Sequence, residues 1–351
     1  MQVFSGALLC YNKRMKDDKY SPDYESFREL HAVVLNIFKT FQKICDENNL
    51  RYFAISGTTL GAALWKGIIP WDDDMDIAMP AQDFLKFKKL CKKHGAIPKG
   101  FSFTEYNWFG GKFHDNRTMC TGIHYISKPD RYTGVFIDIV PLIGIPDDKD
   151  GQKAFVDELN NFRGAAIIAD RFDNIDTPYS KAQLDEWAKK FLTKYPFEKS
   201  TYVMDFSDSR YILKASGFQN PVLMPFEDTT IPVSSNYEED LKIQYQNYSK
   251  YPPKNQRINQ NQLLFTIDMK HSSAYYAKEY KKLQPWVAKC LDQWQSCAGV
   301  YYDCYTKELD KAKNMVSGQT YMNALNAVYN SKSYKLGHLL LHPIKHLFKK
   351  K

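Results

Sequence analysis

Residues 55–77 read Ile55-Ser56-Gly57-Thr58-Thr59-Leu60-Gly61-Ala62-Ala63-Leu64-Trp65-Lys66-Gly67-Ile68-Ile69-Pro70-Trp71-Asp72-Asp73-Asp74-Met75-Asp76-Ile77. A turn of small residues, Gly57-Thr58-Thr59, precedes a segment in which four of five consecutive residues are aspartates. In an extended chain successive side chains point to opposite faces, which would put Asp72, Asp74 and Asp76 on one face and Asp73 on the other. Carboxylates sharing a face repel one another unless a cation sits between them. An all-oxygen donor set favours Mg²⁺ or Mn²⁺, and Mg²⁺ commonly takes substrate phosphates as further ligands. Acidic runs are often solvated surface turns. Here the flanks are Ile68-Ile69-Pro70-Trp71 and Ile77-Ala78-Met79, apolar as in a strand entering a core, which favours a metal site for phosphate chemistry.

The rest of the chain supplies a setting for that site. Phe27, Leu30, Val34, Ile37, Phe41 and Ile44 recur at steps of three and four after Ser21-Pro22, predicting a long amphipathic helix that ends near Asn48-Asn49. Tyr52–Ile55 reads as a strand running into the Gly57 turn, Leu60–Trp65 as a short helix, and Asp74–Met79 as a second strand stopped by Pro80. A helix over Phe84–Cys91, closed by Gly95, comes next. Strands are expected at Phe101–Tyr106, Lys112–His114, Ile123–Ile126 and Gly134–Val140, with Pro141 ending the last. Residues 151–195, 199–217 and 273–315 read as mainly helical and 218–262 as irregular. This order predicts an α/β (α+β) fold, a mixed-sheet core followed by a helical C-terminal half. Asp138 stands alone in the apolar run Val135–Pro141, and a buried carboxylate requires a cation or hydrogen-bond donors. Beside Asp74 and Asp76 it would complete a three-carboxylate cage; otherwise it is a structural Asp paired with an Arg or with backbone amides.

Charge is distributed unevenly. Lys plus Arg number 48 against 40 Asp plus Glu, a net charge of +8. Eight Lys and no acidic residue lie between Lys311 and Lys351, so the remaining 40 basic residues balance the 40 acidic ones over residues 1–310. A nucleic-acid reader would carry its basic charge across the folded face, so no nucleic-acid partner is expected. In the tail, Leu336, Leu340, Ile344, Leu347 and Phe348 fall on one helical side and Lys335, His338, His342, Lys345 and Lys349 on another. This pattern suits a helix lying on an anionic membrane surface; a helix docked on the core or a disordered basic end are the alternatives. The seven Cys show no CxxC pair and no metal-type spacing, and Cys290, Cys297 and Cys304 form a helical stripe. Reduced, buried thiols imply a cytosolic compartment. Neither a signal peptide nor a spanning segment is evident. Aromatic residues make up 15%, which suits either base or sugar stacking or a Tyr-rich core.

The glycine turn, Gly67-Ile68-Ile69-Pro70-Trp71-Asp72-Asp73-Asp74-Met75-Asp76-Ile77 and Phe136-Ile137-Asp138-Ile139-Val140-Pro141 together resemble the LicD/fukutin family, whose fold is that of nucleotidyltransferases. Lys112–Thr118, Met224-Pro225-Phe226-Glu227 and Tyr251-Pro252-Pro253 extend the likeness to roughly residues 25–260; His114 departs from the pattern, and nothing after 262 matches it. The resemblance implies a catalytic domain over 22–262, leaving a helical extension over 263–330 and the basic tail over 331–351. It implies Mg²⁺- or Mn²⁺-dependent transfer of a phospho-alcohol, phosphocholine from CDP-choline above all, from a CDP-alcohol donor to a hydroxyl of a glycan or glycolipid such as teichoic acid or lipopolysaccharide. Ribitol phosphate, a nucleotidyl group or a non-catalytic membrane-associated scaffold are the alternatives. It implies Asp74 and Asp76 as metal ligands, Asp138 as third ligand or as base for the acceptor, and Gly57, Thr58, Thr59, Asp72, Lys112 and Arg117 at the substrate. Lys112 and Arg117 fit surface or structural roles equally well. The expected location is the cytoplasmic face of the plasma membrane.

Overall fold

The computed structural model describes residues 24–106, 108–122, 133–171, 179–250, 265–276 and 278. All of these lie in the first of two compact units, Met1–Lys278. The expected strand at Ile123–Ile126, the Cys290, Cys297 and Cys304 stripe, nearly all of the helix expected over 273–315, and the basic tail lie outside the described residues.

The periodic apolar run forms α1, Tyr24–Glu47. There follow β1 (Phe53–Ala54), α2 (Ser56–Trp65), β2 (Asp76–Pro80), α3 (Ala81–Cys91), β3 (Phe101–Tyr106), β4 (Gly110–Asp115), β5 (Met119–Gly122) and β6 (Phe136–Ile145). Two helices, α4 (Lys149–Arg171) and α5 (Lys181–Lys194), then precede β7 (Tyr202–Asp205), β8 (Asp208–Lys214) and α6 (Ala215–Gln219). The described chain continues through β9 (Val222–Phe226), β10 (Thr229–Val233), α7 (Tyr237–Tyr245) and β11 (Phe265–Asp268). The architecture is a mixed α/β fold. Among the described residues its main sheet has seven strands, in the order β1-β2-β6-β4-β3, with β7 also on β6 and β8 on β7.

The ten-residue strand β6 organises the sheet. β2 runs parallel along it, while β4 and then β7 pair antiparallel with its first and second halves. Alternation along the strands assigns the faces. Ile77, Ile137, Ile139 and Phe113 join Val34, Ile37, Phe38 and Phe41 of α1 in one buried core. On the other face Ala78, Val140 and Leu142 pack with Phe53, Val203 and Phe218. A third cluster, built on Phe155, Phe162 and Phe191 of α4 and α5, covers Ile143 and Ile145 at the far end of β6.

Several expectations are corrected. Pro141 does not end β6, because it stands where β6 exchanges β4 for β7, so its missing N–H interrupts neither ladder. Its carbonyl accepts from Phe206 N, 3.0 Å. Residues 202–214 form a hairpin rather than a helix, with β-branched and aromatic residues in Tyr202-Val203 and Tyr211-Ile212 and a tight turn at Phe206-Ser207. Residues 222–245, expected to be irregular, form the β9–β10 hairpin and α7. Within the expected helical extension, β11 is a strand paired with β5. The second strand begins at Asp76, not Asp74.

Candidate active site

Asp76, Asp138 and Lys112 form one transverse row across β2, β6 and β4: Asp76 pairs in register with Asp138, and Asp138 with Lys112. The pleat that sends Ile77, Ile137 and Phe113 into the α1 core puts these three charged residues on the opposite face. Lys112 Nζ donates to Asp138 Oδ1 at 3.1 Å and lies 3.0 Å from the centre of the Phe136 ring.

Residues 72–75 are irregular, so alternation does not place their side chains. The segment is instead pinned by its backbone. Asp72 N donates to Ile69 O, 2.9 Å, and Asp72 O contacts His31 Nε2, 2.6 Å. Met75 O accepts from Asp138 N, 2.8 Å, and Asp76 N donates to Thr58 Oγ1, 2.8 Å. The result is that Asp74, Asp76 and Asp138 each present an oxygen within 4.8 Å of the others, and Asp72, Asp73 and Asp74 do the same. Asp73 therefore does not face away from Asp74 as strand geometry would require. The oxygen-only donor set fits a hard divalent cation.

Electrostatics supports that fit. Burial first, then the charges of Asp76, Asp72 and Asp138, holds the Asp74 carboxyl well above the ordinary carboxylate range. Asp76 is raised in the same direction by burial and then by Asp138. Asp72 is pushed up to about 6 by burial and by Asp73. A divalent cation relieves this mutual repulsion.

The glycine turn is the first turn of α2. Ser56 takes φ 49°, and a Cβ on Gly57 would lie 3.1 Å from Asp72 Oδ2, so the glycine lets the carboxylate approach the start of the helix. The Thr58 and Thr59 amides both donate to Ile55 O, at 3.1 and 3.2 Å. Thr58 serves the site through its hydroxyl, and Thr59 is buried. Helix geometry leaves the Ser56 and Gly57 amides without an intrahelical acceptor, and these are the donors suited to phosphate.

The structure does not bring Arg117 to the row. It binds Asp115 through Nε, 2.8 Å, and its guanidinium lies over Phe101. His114 is buried and neutral, its pKa lowered to about 4 chiefly by burial, with Nε2 3.0 Å from Thr104 Oγ1. Sequence reading missed Tyr106, His31, Asp205 and Tyr245. Tyr106 lies beside Lys112, whose Nζ is 5.4 Å from its ring centre, and burial, reinforced by Asp138, Asp205 and Asp76, raises its phenol well above the ordinary range. Asp205, at the end of β7, accepts from Ser207 N, 2.7 Å, and burial raises it to about 6. Burial, then the charges of Asp76 and Asp72, raises the phenol of Tyr245 at the end of α7. An Asp in the short polar turn after Tyr202-Val203-Met204 was the available signal for Asp205; the tyrosines had none among 24 in the chain.

Lys112→Met removes the cation beside Asp138. In metal-free protein this is expected to cost about 1.5–3 kcal/mol, the scale of a hydrogen bond to a charged group. Thermal melts with chelator and with excess Mg²⁺ check it: the loss should shrink when metal is added. An equal loss in both conditions would show that Lys112 acts through packing on Phe136.

Comparison with known proteins adds a family likeness over the same part of the chain. Residues 49–155 match the family described as LicD/FKTN/FKRP, nucleotidyltransferase domain. That span includes Asp72, Asp74, Asp76, Lys112 and Asp138. The lipopolysaccharide cholinephosphotransferase LicD of Haemophilus influenzae is 23% identical over 256 residues, covering 65% of this chain and 93% of that protein. An uncharacterized protein of Rickettsia typhi is 39% identical over 54 residues, and one of Rickettsia prowazekii 37% over 54. Those two matches cover 15% of this chain and only 18% and 20% of the relatives.

Proposed function

We propose, for a chain whose residues 49–155 are a LicD-type nucleotidyltransferase domain, that it transfers phosphocholine from CDP-choline to a hydroxyl of a cell-surface glycan such as lipopolysaccharide. The row of Asp76, Asp138 and Lys112 with Asp74 beside it carries this reading, because it gathers oxygen donors and a cation where a diphosphate can bind. The likeness to the Haemophilus enzyme supports the choice of group and acceptor.

Asp74, Asp76 and Asp138 would hold Mg²⁺ or Mn²⁺. A bound ion of this kind neutralises charge on the donor diphosphate and on the departing nucleoside monophosphate. The chain's own residues do the rest. The amides at the start of α2 orient phosphate oxygens, and Lys112 supplies positive charge and holds Asp138 in place. Acceptor-dependent release of CMP from CDP-choline, measured against CDP-ribitol under the same conditions, tests the donor assignment.

No helix among the described residues is long and apolar enough to cross a membrane. We place the protein at the cytoplasmic face of the membrane through the tail, 331–351. Six of the eight Lys after residue 310 lie in 332–351. Each Lys near an anionic surface contributes roughly 1 kcal/mol. Deleting residues 332–351 is expected to release the protein from phosphatidylserine-containing vesicles while turnover on a soluble acceptor persists. Retention of the truncated protein on vesicles in a flotation assay would reject the tail as anchor.

A further inference from the structure

We propose that Glu227, at the tip of the β9–β10 hairpin, is a positioning residue: it fixes the path by which the chain leaves α2 and delivers Asp72, Asp74 and Asp76 to the site. The inference rests on the metal-site reading above for its consequence, but its geometry is independent of any ion.

The chain leaves α2 through Lys66, which takes φ 57°, and Gly67. Glu227 grips this exit twice. Its backbone N–H donates to Lys66 O, 2.6 Å, and its carboxylate Oε1 accepts from Ile68 N, 3.0 Å. A Cβ on Gly67 would lie 2.0 Å from Glu227 Oε1, so the carboxylate fills the space a side chain at 67 would need. From below, a Cβ on Gly61 would lie 2.4 Å from Gly67 O. Residues 66–68 are thus held between α2 and the hairpin tip, and the next turn, closed by Asp72 N to Ile69 O, leads directly into the aspartates.

The hairpin is itself anchored to α1. Lys39 pairs with Asp228 at 2.8 Å, Gln42 Nε2 donates to Thr230 O at 3.0 Å, and Thr229 Oγ1 donates to Gln42 Oε1 at 3.0 Å. Phe226 and Ile231 are buried in the α1 core. α1 also reaches the acidic segment through His31 and Asp72 O. α1, the hairpin tip and the segment 66–76 therefore close a frame around the carboxylates. Glu227 adopts φ 50°, a conformation that Gly or Asn accepts more easily. A partly buried carboxylate in that conformation is locally unfavourable and is accounted for by the two backbone groups it holds. Neither carboxylate cluster at the site includes Glu227, so it acts through the loop and not as a ligand.

Amide hydrogen exchange on the metal-free full-length chain tests the hold directly, and Mn²⁺ binding followed by electron paramagnetic resonance tests its consequence. Glu227→Ala is expected to speed exchange at 68–76 by about tenfold while amides of α4 and α5 keep wild-type rates. Mn²⁺ affinity should fall by about tenfold, the scale typical of residues that orient metal ligands. Glu227→Gln keeps an oxygen acceptor for Ile68 N and should stay close to wild type in both measurements. Gly67→Ala should mimic Glu227→Ala, and the double variant should lose little more than either single one. Wild-type exchange at 68–76 in Glu227→Ala, or a uniform rise across the chain, would overturn the proposal. If Glu227→Ala does not fold, Gly67→Ala with wild-type exchange overturns it, as does Glu227→Gln with exchange raised at 68–76. A wild-type chain that binds no Mn²⁺ would reject the metal-site reading, and the exchange data would still decide whether Glu227 holds the loop.

Discussion

Asp76→Asn is expected to lower turnover by about 10²-fold or more, because the metal it would ligate stabilises transition-state charge by several kcal/mol. Asp74→Asn should do the same. Asn matches the shape of Asp, and Asp76 keeps its backbone bond to Thr58 Oγ1, so the fold should survive. Metal-free stability gives an independent reading. The folded-state pKa values of Asp74 and Asp76 are raised from 3.8, so the native state binds protons more tightly than the unfolded chain. Stability therefore falls as pH rises from that ordinary value through the raised ones, a window that includes about 6 for Asp72. Removing one charge should make the melting temperature in chelator higher than wild type at neutral pH and flatten its pH dependence. Turnover like wild type at saturating Mg²⁺ would sink the assignment. A lower melting temperature in chelator would show that Asp76 is satisfied without a cation.

Asp138→Ala is expected to lose activity to a similar degree, and direct metal binding distinguishes its two roles. Its oxygen lies within 4.8 Å of those of Asp74 and Asp76, which supports a ligand. As a ligand, its loss should shift half-saturation by Mg²⁺ and Mn²⁺ to higher concentration. Were it the base for the acceptor hydroxyl, metal affinity would be kept and only the chemical step would slow. The substitution also removes the carboxylate to which Lys112 Nζ donates. Calorimetric titration with Mn²⁺ alongside turnover is the deciding pair of measurements.

The row across the sheet was legible because strands obey a period of two. Asp76 before Ile77 and Asp138 between Ile137 and Ile139 had to oppose the apolar face once those strands formed. Asp72 to Met75 was not legible by the same rule. That segment is irregular, and its path is set by bonds to His31, Thr58 and Asp138, none of which local alternation reveals. Long separation hides the rest: His31 and Asp72 stand 41 residues apart, Ile68 and Glu227 159. Residues 202–214 read as helical because Tyr, Met and Leu fit both periods in so short a run. The turn Asp205-Phe206-Ser207-Asp208, where Asp205 and Asp208 bond to backbone amides two residues on, decides for a hairpin. Arg117 was a reasonable phosphate ligand by type, and Asp115 two residues before it supplies the partner that holds it elsewhere.

Metal-dependent transfer is measured as CMP release from CDP-choline by the purified full-length chain, with a lipopolysaccharide acceptor, across a Mg²⁺ titration. Release is expected to require both acceptor and metal, to be suppressed by chelator, and to be lost in Asp74→Asn. Acceptor-dependent release that persists in chelator, or in Asp74→Asn at saturating Mg²⁺, would contradict metal-dependent transfer at this site.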